Sequence, residues 1–372
     1  MSNEILIDIS AAVNQGAGIG RYARELTRAL IPLVPNDEAR LWYAAEPHPY
    51  DPKLLDSHPW SSVPSVRSRL SRRSVDRLYF RGRLPLRRLL GSGQPSQSYS
   101  PDFTAPPGRQ THITIHDLAW LHPEAETPPG LTAFLAPVVE RAARSAATIF
   151  TVSNTIRTEI LERYALSEDR LIVAPNAPGL EFFRATQLDA ATLDRHGVHR
   201  PFVLYVGTIE PRKNLGILIE AGKLLPDGVQ IVMAGRSGWR AEEIESRMSS
   251  SASPGRYLRM GFVPEDLLPR LMASASAVVY PSRYEGFGLP IVEALAAGVP
   301  VVASDLPVFR EVGGEVVRYF DPANAEALAT IVQQTISVEL DPVARSARIE
   351  QAKQFDWLAS AAIVAARLRE TA

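Results

Sequence analysis

The sequence predicts an α/β protein of two Rossmann-like domains, each built on a parallel sheet, facing one another across an interdomain cleft. Three observations carry that expectation. The chain has 372 residues, enough at roughly 150 per domain for two or three compact units. Short β-rich runs alternate with longer stretches of helical apolar spacing, in two separate blocks. Glycine-bearing loops follow several of the strands, and open parallel sheets bind ligands beyond the carboxyl ends of their strands.

In the first block Ile5–Ile9 reads as a strand and the loop Gly16–Gly20 follows it. Arg21–Leu33 then places Tyr22, Leu26, Ala29, Leu30 and Leu33 at helical spacing. Strands are expected at Arg40–Tyr43, Thr111–His116 and Thr148–Val152, with helices at Leu131–Ser145 and Thr155–Tyr164. The strand Leu171–Val173 runs into the turn Pro175-Asn-Ala-Pro, and polar sequence to about Pro201 marks the hinge. The second block opens with Phe202–Val206, apolar throughout as a buried parallel strand should be. A helix from about Leu215 to Leu225 follows, then strands at Gln230–Ala234 and Tyr257–Met260, a helix Glu265–Ser274, the strand Ala277–Tyr280 and a helix Pro290–Ala297. Gly298 stops that helix, and Val299–Ala303 is the next strand. The expected domains are 1–185 and 200–355, with a C-terminal helix at about 356–372 packing back onto the first.

Composition narrows the functional classes. Hydrophobic residues are 45% and charged ones 22%, the balance of a soluble globular protein. Forty Lys+Arg against 41 Asp+Glu leave a net charge of −1, so no nucleic-acid partner is expected. Without cysteine there is no disulfide and no thiolate nucleophile, which fits a reducing compartment. The N-terminal Met1-Ser-Asn-Glu-Ile-Leu-Ile-Asp-Ile lacks the basic start and apolar stretch of a secretion signal. No run approaches the roughly 18–20 apolar residues of a membrane span, so a cytoplasmic protein is expected. One stretch departs from the average: nine arginines (67, 69, 72, 73, 77, 81, 83, 87 and 88) stand against the single Asp76. That segment, Arg67–Arg88, suits peripheral contact with an anionic membrane face or a lipid-phosphate acceptor; a solvated arginine-rich face is its plainer reading.

The strongest site signal is Tyr280-Pro-Ser-Arg-Tyr-Glu-Gly-Phe-Gly-Leu-Pro-Ile-Val-Glu293. A buried strand ends, a glycine loop follows, and Pro290 stands in a helical first turn. Backbone amides at Gly288 and Leu289 therefore suit a phosphate. Glu285 and Glu293 in the same stretch would repel one, and suit hydroxyl groups instead. The combination calls for a ligand anionic in the middle and polyhydroxylated on both sides, a nucleotide sugar. The alternative is that Glu285 caps the helix and Glu293 is a surface residue.

Gly207-Thr-Ile-Glu-Pro-Arg-Lys-Asn214 supplies positive charge at the same edge through Arg212 and Lys213. Lysine is scarce, confined to positions 53, 213, 223 and 353. Fixed cations can neutralise a departing diphosphate as a divalent metal does elsewhere. No Asp-x-Asp triplet exists, so neither a metal nor another cofactor is expected. In the first domain, alternation through Thr111-His-Ile-Thr-Ile-His116 puts His116 at a strand end, able to donate a hydrogen bond or shuttle a proton. The loop Gly16-Ala-Gly-Ile-Gly-Arg-Tyr22 lets backbone approach a ligand at Gly18. Ala23 stands where a dinucleotide fingerprint wants its third glycine, and the next strand brings no acidic ribose ligand, which disfavours a nicotinamide enzyme.

On these motifs the chain resembles the family-four retaining glycosyltransferases, which have the GT-B fold. The likeness is strongest from Phe202 to Pro322. It implies that Glu293 binds the donor ribose, that Glu285 contacts the transferred sugar on its reacting face, and that Phe287, Gly288 and Leu289 bind the donor, the last two holding sugar or phosphate by backbone amides. Arg212 and Lys213 would bind the diphosphate, Gly18 would approach it from the opposite domain, and His116 would contact the sugar near the reacting centre. Phe262 and Val263 look like the base-binding turn. Many relatives have arginine immediately after the glycine corresponding to Gly207, whereas this chain has Thr208, which shifts charge onto Arg212 and Lys213. The Gly-Thr-Ile-Glu-Pro-Arg-Lys-Asn version is similar to bacterial mannosyltransferases of surface-polysaccharide assembly. It favours GDP-mannose as donor and a glycan or lipid-linked acceptor. A GT-B sugar-nucleotide epimerase and a noncatalytic two-lobed sugar-binding protein are the rival readings.

Overall fold

The computed structural model describes residues 4–370 apart from 17, 36, 76, 78–94, 107, 251–254 and 339–340. The chain divides into two compact units: one comprises 1–120, 129–176 and 356–372, the other 121–128 and 177–355. The first unit thus ends at Asn176, earlier than the expected 185, and residues 121–128 leave it for the second.

The first unit's sheet has seven strands, β1 (Ile5–Asp8), β2 (Ala39–Tyr43), β3 (Ser65–Arg67), β4 (Gln97–Ser100), β5 (Gln110–Ile115), β6 (Thr148–Thr151) and β7 (Leu171–Val173). All neighbours are parallel, in the order β3-β2-β1-β4-β5-β6-β7. Apolar periodicity misses β3 and β4 because the residues are polar. β4 is Gln-Ser-Tyr-Ser, fully buried, and Gln97 Nε2 donates to Leu368 O at 2.8 Å, so hydrogen bonds replace apolar side chains in a central strand. Its partner Leu368 lies on the C-terminal helix Trp357–Glu370, which also sets Trp357 edge-on to Tyr22 at 5.7 Å and donates from Ser360 Oγ to Pro175 O at 2.7 Å. That helix therefore belongs to the first unit. Leu6, Trp42, Ala44, Val75 and Val138 form a buried apolar cluster in the same unit.

The second unit holds β8 (Phe202–Val206), β9 (Gln230–Ala234), β10 (Tyr257–Gly261), β11 (Ala277–Tyr280), β12 (Val301–Ser304) and β13 (Arg318–Phe320). They form a parallel sheet in the order β10-β9-β8-β11-β12-β13. Both sheets are wound outward from a central pair, β1/β4 in one and β8/β11 in the other. Loops leaving the carboxyl ends of such a pair diverge to opposite sides and open a crevice where strand order reverses. In the second unit those loops are 207–214 and 281–288, the two motifs singled out by sequence.

Candidate active site

Each loop aims its functional side chains by local structure. After β8, Glu210 and Pro211 start a single 3₁₀ turn, Pro211–Lys213, that ends in Asn214 with φ +55°. Asn214 tolerates this left-handed conformation better than most residues and is anchored by Nδ2 donating to Pro322 O at 2.9 Å. After β11, Gly288 caps the helix Leu289–Ala296 with φ +101°, and a Cβ there would stand 2.9 Å from the Phe309 ring, so only glycine fits. The two loops are sewn together where Arg283 N donates to Arg212 O at 2.8 Å.

Glu285 is the centre of the cluster. Its Oε2 accepts from Arg212 Nη1 at 2.9 Å, and its Oε1 accepts from Ser282 Oγ at 2.8 Å and from Lys213 Nζ. Lys213 also donates to Tyr280 OH at 3.0 Å, with its ammonium 5.1 Å from the centre of that ring. Glu210 Oε1 accepts from Arg212 Nε at 2.5 Å. Lys213 is 6% exposed and Glu285 8%, so the ion pair works in a poorly hydrated setting. Burial alone would raise Glu285, but Arg212 and Lys213 override it and hold the carboxyl at about 2. Burial, then the adjacent Arg212 charge, lowers Lys213 below its ordinary value. The capping alternative for Glu285 fails on this geometry, since both oxygens are committed to the cluster. The surface alternative for Glu293 fails too, since that side chain is 1% exposed.

The sequence reading gave the cations to a diphosphate and Glu285 to a sugar; the structure bonds them to one another. Two carboxylates, Glu285 and Glu210, balance the two cations. Sequence reasoning passed over Glu210, Tyr280 and Ser282 as partners. The signal for Glu210 was Pro211, whose fixed φ begins the tight turn that brings Arg212 back over its neighbour.

The remaining expected residues fall at other strand ends. Phe262 follows Gly261 at the end of β10, is 45% exposed, and has the Arg236 guanidinium 4.8 Å from its ring centre, while Val263 is buried. Phe287 is buried edge-on against Phe355 at 5.4 Å.

In the first unit, Gly18 has φ +56° and immediately precedes the helix Ile19–Leu30, with no heavy atom within 4 Å of an added Cβ. Backbone conformation, rather than crowding, selects glycine there. His116 lies just beyond β5, buried, with Tyr22 edge-on at 4.7 Å and Phe103 at 5.7 Å. Its Nε2 is 2.9 Å from Pro101 O. A carbonyl only accepts, so Nε2 carries the proton and Nδ1 is the acceptor nitrogen of the neutral ring. Burial lowers His116 and favours that neutral form.

Sequence reasoning missed a second cluster in this unit. Asp8 ends β1 and accepts from Ser10 N at 2.8 Å. Arg72 reaches Asp8 at 3.3 Å, Asp102 at 3.5 Å and Thr104 Oγ1 at 2.5 Å. Asp8 was legible as an acidic residue closing an apolar strand. Arg72, counted in the arginine-rich segment, is tied to the sheet. Arg67, Arg69, Arg73 and Arg77 are exposed, and Arg81, Arg83, Arg87 and Arg88 lie outside the described residues. Among the described residues no helix is long and apolar enough to cross a membrane, and no group of three or more acidic or histidine side chains is placed to hold a metal.

Two outward-wound parallel sheets, with a cationic loop and a glutamate loop at one switch point, have the GT-B architecture. Residues 194–355 match the family model described as glycosyl transferases group 1, and the chain is a glycosyltransferase. It is 28% identical over 364 residues to O-antigen chain mannosyltransferase B of Escherichia coli, covering 91% of this chain and 92% of that protein. It is 25% identical over 252 residues to the O-antigen chain mannosyltransferase RfbU of Salmonella typhimurium, covering 67% of each. The fold matches sucrose-phosphate synthase of Thermosynechococcus elongatus (TM-score 0.76, 19% identity, 99% of this chain and 98% of that one). It also matches Anabaena HepE in complex with UDP and glucose (TM-score 0.73, 17% identity, 99% of each chain).

Proposed function

We propose that this glycosyltransferase moves mannose from GDP-mannose to a glycan or lipid-linked acceptor with retention at the anomeric carbon, without a metal, in the cytoplasm. The observation that carries the reading is the Arg212–Lys213–Glu285 cluster at the β8/β11 switch point. The mannosyl assignment is supported by the O-antigen mannosyltransferases to which most of the chain is similar.

In this mechanism Glu285 keeps both cations ionised and fixed before the donor arrives, so little reorganisation is needed when charge develops. Lys213 spends two of its three donors on Glu285 and Tyr280, leaving one for a phosphate oxygen. The bond from the anomeric carbon to the diphosphate breaks, and the acceptor oxygen bonds that carbon on the same face. The acceptor's hydroxyl proton passes to the departing diphosphate. Glu285, ionised throughout the physiological range, stabilises the positive charge on the sugar. Neutral His116 offers Nδ1 to a sugar hydroxyl. Glu293 reads ribose, Gly288 and Leu289 hold phosphate or sugar by their amides, Gly18 approaches the diphosphate, and Phe262 and Val263 receive the base. Exposed Arg67, Arg69, Arg73 and Arg77 suit an anionic membrane surface.

A panel of GDP-mannose, UDP-glucose and UDP-galactose, assayed for nucleoside diphosphate release with and without glycolipid extracts, tests the reading. GDP should be released from GDP-mannose only when acceptor is present, and a chelator should leave the rate unchanged. Preference for a UDP-sugar, or turnover indifferent to acceptor, overturns it. Retention on vesicles of anionic lipid at low salt checks the membrane contact.

A further inference from the structure

Residues 281–288 contain no helix or strand, yet they carry the glutamate on which the site turns. What fixes their outer side is the segment 121–128, whose chain neighbours on both sides lie in the first unit. His122 stacks on Tyr284, ring centres 4.1 Å apart and 24° from parallel. Glu126 spans two arginines: Oε1 accepts from Arg283 Nη1 at 3.1 Å and Oε2 from Arg240 Nη1 at 2.6 Å. Tyr284 and Arg283 are the two residues directly before Glu285, and Arg283 is the one whose backbone bonds to Arg212. Glu126 has φ +47°, a left-handed conformation that is unfavourable for a non-glycine residue and persists where the surroundings over-determine it.

We propose that Glu126 is a positioning residue for the glutamate loop: by bridging Arg283 and Arg240 beside the His122–Tyr284 stack, it fixes Glu285 against Arg212 and Lys213. The inference rests on the reading of that loop as the donor site. Its energetic signature separates it from a merely structural role. Glu126, Arg240 and Arg283 are 36%, 40% and 42% exposed, and ion pairs at such exposure contribute little to folding. A displacement of about 1 Å at a reacting group, by contrast, costs on the order of a hundredfold in rate.

The test compares kcat, donor KM and thermal midpoint for the intact chain and for Glu126→Gln, Arg283→Gln, the double variant and Glu243→Gln, with whichever nucleotide sugar the wild type turns over. Glu126→Gln and Arg283→Gln should each lose about tenfold in kcat with donor KM and midpoint nearly unchanged. The double variant should be no worse than either single one, because both cut the same support. Glu243→Gln, which removes only the other partner of Arg240, should match wild type. Should Glu126→Gln fold poorly, Arg283→Gln alone decides. An active wild type with unchanged kcat in Arg283→Gln overturns this inference and leaves the donor-site reading standing. A wild type inert with every nucleotide sugar overturns both.

Discussion

Asp8 at the end of β1 and Glu285 beyond β11 are both enclosed carboxylates beside a guanidinium at a sheet's switch point, yet they titrate in opposite directions. Burial pushes Asp8 up to about 6 against the pull of Arg72, and the like charge of Asp102, which shares that arginine, adds to the rise. Glu285 suffers the same burial but lies against two cations, Arg212 and Lys213, with the Ser282 hydroxyl donating beside them, and is held at about 2. The comparison teaches that enclosure does not set a carboxylate's charge; the charges beside it do, two cations at Glu285 against one cation and a second acid at Asp8. One sheet end stores a reluctant anion and the other a permanent one.

The largest effect that would break this contrast is expected at Lys213. Lys213→Ala removes one of the two cations, so kcat should fall about 10²- to 10³-fold as a fixed electrostatic stabiliser is lost. Circular dichroism should still report a folded chain. Unchanged turnover would deny the cluster its catalytic role. Glu293→Ala comes next: a buried hydrogen-bonding group is lost, and donor affinity measured by calorimetry should drop roughly ten- to a hundredfold with kcat affected less.

The smallest effects sharpen the comparison through pH. Glu285 lies below its ordinary 4.5, so the stability it contributes is complete above that value and is lost as pH falls towards about 2. Asp8 lies above its ordinary 3.8, so the folded state holds its proton more tightly, and stability is lost as pH rises from there through about 6. That rise corresponds to on the order of 3 kcal/mol. Midpoints recorded across pH should show Asp8→Asn flattening the limb between about 4 and 6, and Glu285→Gln flattening only the acid limb. Curves parallel to wild type would contradict the assignment.

How much of this was legible in the sequence depends on what each element is made of. Phe202–Val206 and Ala277–Tyr280, apolar runs bounded by turns, were read with their observed limits. The loops after them were found because Pro211, Gly288 and Pro290 impose local geometry that needs no tertiary knowledge. β4 was illegible because its buried polar residues bond to groups outside the strand, Ser98 to Thr111, Tyr99 to Thr114 and Gln97 to the distant Leu368 carbonyl. The bonds from Arg212 and Lys213 to Glu285 were illegible for a related reason: which charges meet depends on a loop register more than seventy residues apart in the chain. Arg72 shows the opposite error, since counting arginines as a patch hid one that ion-pairs within the sheet's own cluster.

Residues 121–128 also change what a half of this molecule is. The family match at 194–355 is one continuous stretch, but the compact unit containing it borrows eight residues from much earlier in the chain. A chimera that joins two related enzymes at a single seam near residue 177 would carry one parent's glutamate loop against the other parent's His122 and Glu126. Exchanging that short piece together with the C-terminal half keeps the pair matched, and the same rule governs any attempt to express that half alone.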